Sequence, residues 1–263
     1  MVLNKMKGRD RVGFNKLMDS LEVNEINISG IPCIEIVPPE IKENIIFYHG
    51  WSSRKENQVF RAKILASHGY RVILPDASYH GQRNRLDFNS GNGEERLANY
   101  FFETLIRSIL ESENLIDYAG KDKPITVAGH SMGGFIAAGV FTDNPDISKM
   151  ININGSSAWL KTRDIWLEEI DFNQPIKEEV LIDNINYSLK EYDPYFNLDK
   201  INNRPVLLLH GEADSSVALK AQEEYYQAAK ETYENGERIS LVTYENLNHY
   251  IIDKMLEEII NWL

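Results

Sequence analysis

Ile125-Thr126-Val127-Ala128-Gly129-His130-Ser131-Met132-Gly133-Gly134 is the stretch on which the reading of the fold turns. It opens as a short β-branched run that suits a buried strand. Beyond Gly134 it continues as Phe135-Ile136-Ala137-Ala138-Gly139-Val140, an apolar run that suits a buried helix. Between the two lies Gly-x-Ser-x-Gly, the strand, sharp turn and helix of a nucleophile elbow with Ser131 at its apex. The glycines have a steric reason. The serine takes a strained backbone conformation, and Cβ atoms at Gly129 and Gly133 would collide across so tight a turn. The turn lifts the Ser131 hydroxyl clear of the sheet. It also aims the backbone N–H of Met132 at a reacting carbonyl from a helix N-terminus, where the dipole favours negative charge.

Around this stretch the chain has 263 residues, 43% hydrophobic and 26% charged, enough for one large α/β domain with a sizeable core. A net charge of −12 argues against nucleic-acid binding, which needs a basic face, and against attraction to anionic membranes. Cys33 is the only cysteine, which rules out an intrachain disulfide and a cysteine-based metal cluster. The opening Met1-Val2-Leu3-Asn4-Lys5-Met6-Lys7-Gly8-Arg9-Asp10 lacks the apolar core of a signal peptide. No stretch approaches the ~18 apolar residues of a membrane span. A cytoplasmic location is expected.

The rest of the chain alternates. Strands are predicted over 25–28 and 32–37 as a hairpin around Ser29-Gly30, then over 44–48, 71–74, 149–153, 205–209 and 239–244. Helices are predicted over 58–66, 94–115, 218–233 and 251–263. This alternation implies a mostly parallel sheet with helices on both faces, and residues 1–263 are expected to form a single domain. The segment 156–204 breaks the rhythm, and it is rich in acids and in aromatics: Trp159, Trp166, Phe172, Tyr187, Tyr192, Tyr195 and Phe196. So long a structureless loop is uncommon, and the expectation is a small helical insertion. Its place after a strand C-terminus, where α/β sheets hold their ligands, makes it a candidate lid. Most of its aromatics are expected to pack the insertion onto the body, with Trp159 or Trp166 reaching substrate.

The order of elements, together with His49-Gly50-Trp51, Gly129-His130-Ser131-Met132-Gly133, His210-Gly211-Glu212-Ala213-Asp214 and Asn248-His249, resembles the α/β-hydrolase superfamily over 25–263. More narrowly, Asp76-Ala77-Ser78-Tyr79-His80-Gly81-Gln82-Arg83 resembles the D-x-x-x-H-G-x-R segment of small bacterial esterases of the prolyl oligopeptidase and dienelactone hydrolase-like group. That resemblance implies carboxylesterase activity on small acyl substrates, with no cofactor.

The partners of Ser131 follow from chemistry and chain order. A serine hydroxyl needs a neighbouring base, and an elbow fold delivers serine, acid and histidine in that order. Only His210 and His249 follow Ser131. With His210 as base, the acids Glu212 and Asp214 would come too late, so His249 is the predicted base. Glu212 and Asp214 both qualify as the acid by position. The H-G-x-x-D pattern of the resemblance points to Asp214. The oxyanion donors are assigned to the backbone N–H groups of Met132 and of Trp51, whose indole would also wall the pocket. His80 and Arg83 either order the loop beside the active site or pin it to the body through Asp76, and pinning is the simpler reading.

Three functions fit these residues. The first is a serine carboxylesterase for short acyl chains, walled by Trp51 below and by Trp159 or Trp166 above. The second is an amide or short-peptide hydrolase with the same triad; full prolyl oligopeptidases carry a large propeller for which this length leaves no room, which favours the ester. The third is a non-catalytic binding protein on the same scaffold. No His/Asp/Glu cluster has metal-ligand spacing. The expected partner is a small ester, and the oligomeric state is not legible.

Overall fold

The computed structural model describes residues 18–88, 93–170, 176–234 and 236–263. The N-terminal decapeptide and Phe172 therefore lie outside the described residues. Strands β1 (Glu22–Ile28), β2 (Ile31–Val37), β3 (Glu43–Tyr48), β4 (Tyr70–Pro75), β5 (Ile125–His130), β6 (Lys149–Ile153), β9 (Val206–Gly211) and β10 (Ile239–Tyr244) form one eight-stranded sheet. Their order is β1-β2-β4-β3-β5-β6-β9-β10. The β1–β2 hairpin joins β4 antiparallel, and every pairing from β4 to β10 is parallel.

Both faces of this sheet are covered, and the sequence of β9 shows how. Val206 and Leu208 enter one core cluster while Leu207 and Leu209 enter the other, as the two-residue period of a strand requires. The first cluster packs the long helix α2 (Gly93–Ala119), through Phe101, Phe102, Leu105 and Ile109, against the elbow helix α3 (Met132–Asp143). The second packs α1 (Val59–Ala66) and α7 (Asp253–Trp262) on the opposite face. Leu208 is fully buried, so its truncation to alanine would cost about 2–5 kcal/mol.

The insertion between β6 and β9 is of mixed structure. It holds α4 (Trp159–Glu169), a two-stranded hairpin of β7 (Glu179–Ile182) and β8 (Ile185–Ser188), the single turn α5 (Leu189–Tyr192) and two short 3₁₀ turns. The expected helical insertion carries a hairpin as well. Its turn residues Asp183 and Asn184 both take positive φ, 51° and 66°, as a tight hairpin turn demands. The fully buried Asp193 fastens the insertion. Its Oδ1 accepts the N–H groups of Trp159 (3.1 Å) and Tyr195 (3.0 Å), and its Oδ2 accepts that of Leu160 (2.9 Å). These satisfy donors that the first turn of α4 would otherwise leave bare. The remaining helix, α6 (Leu219–Lys230), connects β9 to β10.

Candidate active site

Strand β5 ends at His130 and α3 starts at Met132, leaving Ser131 between them at φ 57° and ψ −124°. Few residues with a Cβ are held there. The flanking glycines make the turn possible. A Cβ on Gly129 would run into the carbonyl of Gly133, and one on Gly133 into the carbonyl of Tyr48.

Two loops at the C-terminal ends of β9 and β10 bring the other groups to this apex. His249 Nε2 lies 2.8 Å from Ser131 Oγ, and His249 Nδ1 lies 2.7 Å from Asp214 Oδ2. A carboxylate can only accept, so Nδ1 carries the proton and Nε2 presents its lone pair to the serine hydroxyl. Asp214 is held from both sides. Its Oδ1 accepts the N–H groups of Ser216 and Val217, each at 2.9 Å. Burial pushes its carboxyl up, but the bonds from His249 and these amides outweigh that and hold it below the usual aspartate value. Glu212, the other acid at this strand end, is exposed and accepts the Thr243 hydroxyl at 2.7 Å.

Side chains assigned no such role from the sequence set these loops. Asn248 Oδ1 accepts the N–H groups of Ser215 (3.0 Å) and His249 (2.7 Å), stapling the acid loop to the histidine loop. Asn154 accepts the Gly211 N–H and donates to the Tyr250 carbonyl, both at 3.0 Å. His210 is buried and kept neutral by desolvation; its Nε2–H donates to Val217 O at 2.9 Å, beside Asp214 at 3.4 Å. The sequence signal was faint, since asparagines in loops are ordinary.

Opposite these loops, the N–H groups of Met132 and Trp51 make no hydrogen bond among the described residues, leaving both free to donate. A histidine pair fixes the Trp51 loop. His80 Nε2 accepts the Ser52 N–H (3.1 Å) while its Nδ1–H donates to Ser78 O (2.8 Å). His49 Nε2 accepts the Ala77 N–H (3.1 Å) while its Nδ1–H donates to Gly50 O (2.8 Å). Burial holds both rings neutral, with His80 brought down to about 3. His80 thus orders the loop directly, contrary to the pinning expectation. Pinning belongs to Asp76, whose carboxylate takes Lys55 Nζ (2.9 Å) and the Gln82 N–H (3.0 Å), and to Arg83, which forks onto Glu111 (2.7 and 2.6 Å).

Ser131 and His249 open onto a cavity of about 550 Å³ walled by Trp51, Phe101, Trp166 and Val217. Phe101 meets the Trp51 ring at 5.6 Å and the Trp166 ring at 5.1 Å between centroids. Trp159 does not line it, which corrects that expectation. Its indole is fully buried beneath the insertion, where a Cβ on Gly139 would touch it. Among the described residues no group of side chains could hold a metal ion, and no helix is long and apolar enough to cross a membrane.

A family model described as the prolyl oligopeptidase family matches residues 56–262. The chain is 28% identical over 261 residues to YitV of Bacillus subtilis, provisionally named an esterase, covering 92% of this chain and 98% of that protein. It is 29% identical over 222 residues to Esterase YjfP of Escherichia coli, covering 81% of this chain and 86% of that protein. The crystal structure of TT1662 from Thermus thermophilus superposes with a TM-score of 0.70 at 18% identity, covering 92% of this chain and 96% of that one. The sheet order, the elbow and this likeness make the fold that of the α/β-hydrolases.

Proposed function

This chain is a serine hydrolase belonging to the prolyl oligopeptidase family, and from that premise we propose that it is a carboxylesterase for short acyl chains, with Ser131, His249 and Asp214 as its triad. The observation that carries the reading is the unbroken chain from Asp214 through His249 to the Ser131 hydroxyl at the wall of an apolar cavity. Two relatives named as esterases support the ester as substrate.

His249 takes the proton of Ser131 as the oxygen attacks the ester carbon. Asp214 stabilises the imidazolium so formed. The carbonyl oxygen gains negative charge, for which the N–H groups of Trp51 and Met132 are the assigned donors, and each such donor is worth about 10²–10³ in rate. The imidazolium then gives its proton to the departing alcohol, leaving an acyl-enzyme. Water, deprotonated by the same histidine, releases the acid.

The insertion acts as the lid of the cavity that takes the ester, with Trp166 from above and Trp51 and Phe101 beside it. Each methylene that fits gains about 0.8 kcal/mol of burial. One that does not fit meets packed rings, at a cost of about 1–3 kcal/mol. The test is kcat/KM for nitrophenyl esters from two to sixteen carbons, run beside aminoacyl amides. The expected profile rises from acetyl to about butyryl and falls steeply beyond hexanoyl or octanoyl. A maximum at twelve carbons or more, or faster amide than ester turnover, would falsify it.

A further inference from the structure

The cavity has one feature that a neutral short-chain ester leaves unused. Its lining includes Glu169, which is exposed at the cavity rim, and His249 is the only other ionisable side chain among the described lining residues. Glu169 stands three residues after Trp166, so carboxylate and indole share one face of α4. It is also the last residue of α4, where the carbonyl end of the helix dipole favours positive charge. A carboxylate, a helix C-terminus and three aromatic rings at one cavity are the elements that hold an organic cation. No lysine or arginine opposes them among the described lining residues.

The side of the cavity is also fixed. Trp166 Nε1–H donates to Ser216 O at 2.9 Å, so this end of α4 is tied to the acid loop, and Ser215, Ser216 and Val217 line the cavity beside it. That is the flank of His249, which hands its proton to the departing alcohol. Resting on the esterase reading, we infer that this enzyme selects esters whose alcohol carries a quaternary or protonated ammonium group, seated on Trp166 and paired with Glu169.

The experiment compares propionylcholine with 3,3-dimethylbutyl propionate, which has the same shape without the charge. The choline ester is expected to show kcat/KM about 3- to 30-fold higher, with the ratio shrinking as salt is raised. Glu169→Gln should bring the ratio close to one, and Glu169→Lys should invert it. Because the readout is a ratio, a general loss of activity in a variant does not enter it. A ratio near one in the wild-type enzyme, or one unchanged in Glu169→Gln, overturns the inference while leaving the esterase reading intact. A second arm works without turnover: choline should protect Ser131 from a fluorophosphonate at several-fold lower concentration than 3,3-dimethylbutanol. Equal protection overturns the cation site. Failure to hydrolyse either ester, with choline still protecting, overturns the esterase reading and leaves the cation site standing.

Discussion

Trp166 Nε1–H donates to the carbonyl of Ser216 at 2.9 Å, and the N–H of Ser216 donates to Asp214 Oδ1 at the same distance. The wall of the cavity and the acid of the site are thus two hydrogen bonds apart. Trp166→Phe keeps an aromatic wall but removes the donor together with part of the buried ring. The expected outcome is a loss of about 1 kcal/mol of stability, read as a melting point lower by about 2–4 °C. A several-fold fall in kcat should accompany it. Unchanged kcat at a lowered melting point would separate the insertion from the acid.

The carboxylate assignment is tested by a pair of variants. Asp214→Asn should fold and lose about 10⁴ in kcat, because the amide can leave the imidazole in the wrong tautomer. Glu212→Gln, whose amide oxygen can still accept the Thr243 hydroxyl at this exposed site, should stay close to wild type. Steady-state kinetics on one ester suffices, and reversed results would move the acid to Glu212.

The strain at the nucleophile is measurable. Ser131 is held at φ 57°, where a side chain costs about 1–3 kcal/mol and glycine costs little. Ser131→Ala and Ser131→Gly should both be inactive. The glycine variant should melt several degrees above the alanine one. Equal melting points would mean that the elbow carries no strain.

Acid sensitivity should come from buried histidines. Burial lowers His80 from 6.5 to about 3, so between these values the unfolded chain binds a proton there that the folded chain does not. Stability conferred above pH 6.5 is therefore lost as pH falls, at about 1.4 kcal/mol per pH unit for this one residue. Asp193, raised to about 6 by burial, works in the opposite sense between 3.8 and 6. The comparison therefore has to be between variants. His80→Gln keeps an acceptor for the Ser52 N–H and cannot titrate, so urea unfolding between pH 4 and 6.5 should show a shallower pH slope than wild type.

The strands at 149–153 and 239–244 coincide with β6 and β10, and the run at 205–209 covers all but the last residues of β9, whose two faces are both buried. Ser131 and His249 were legible through residue chemistry and chain order, Asp214 was separated from Glu212 only by the family resemblance, and the three meet within hydrogen-bond distance. The tryptophans were not separable. Trp159 and Trp166 are two turns apart on one helix and share its inner face, but about 10 Å of helix divides them. One lands on the core and the other over the cavity, and periodicity carries no information on that distance. The β7–β8 hairpin was legible in principle, since the turn formers Asp183-Asn184 follow Val180-Leu181-Ile182 and precede Ile185. It was obscured by the aromatics around it.

Asp193 has a consequence for what the insertion can become. By gripping Trp159 and Leu160 at one end and Tyr195 at the other, it closes the intervening chain into a loop whose neck does not depend on its contents. The hairpin tip at Asp183-Asn184 hangs outside that neck, with Leu181 and Ile185 exposed beside it. Lengthening a closed loop is cheap, about 0.6 kcal/mol for each doubling. Foreign sequence grafted at the tip would therefore leave the cavity wall where it is, which makes this turn the natural port for attaching a tag, a tether or a second binding module to the enzyme.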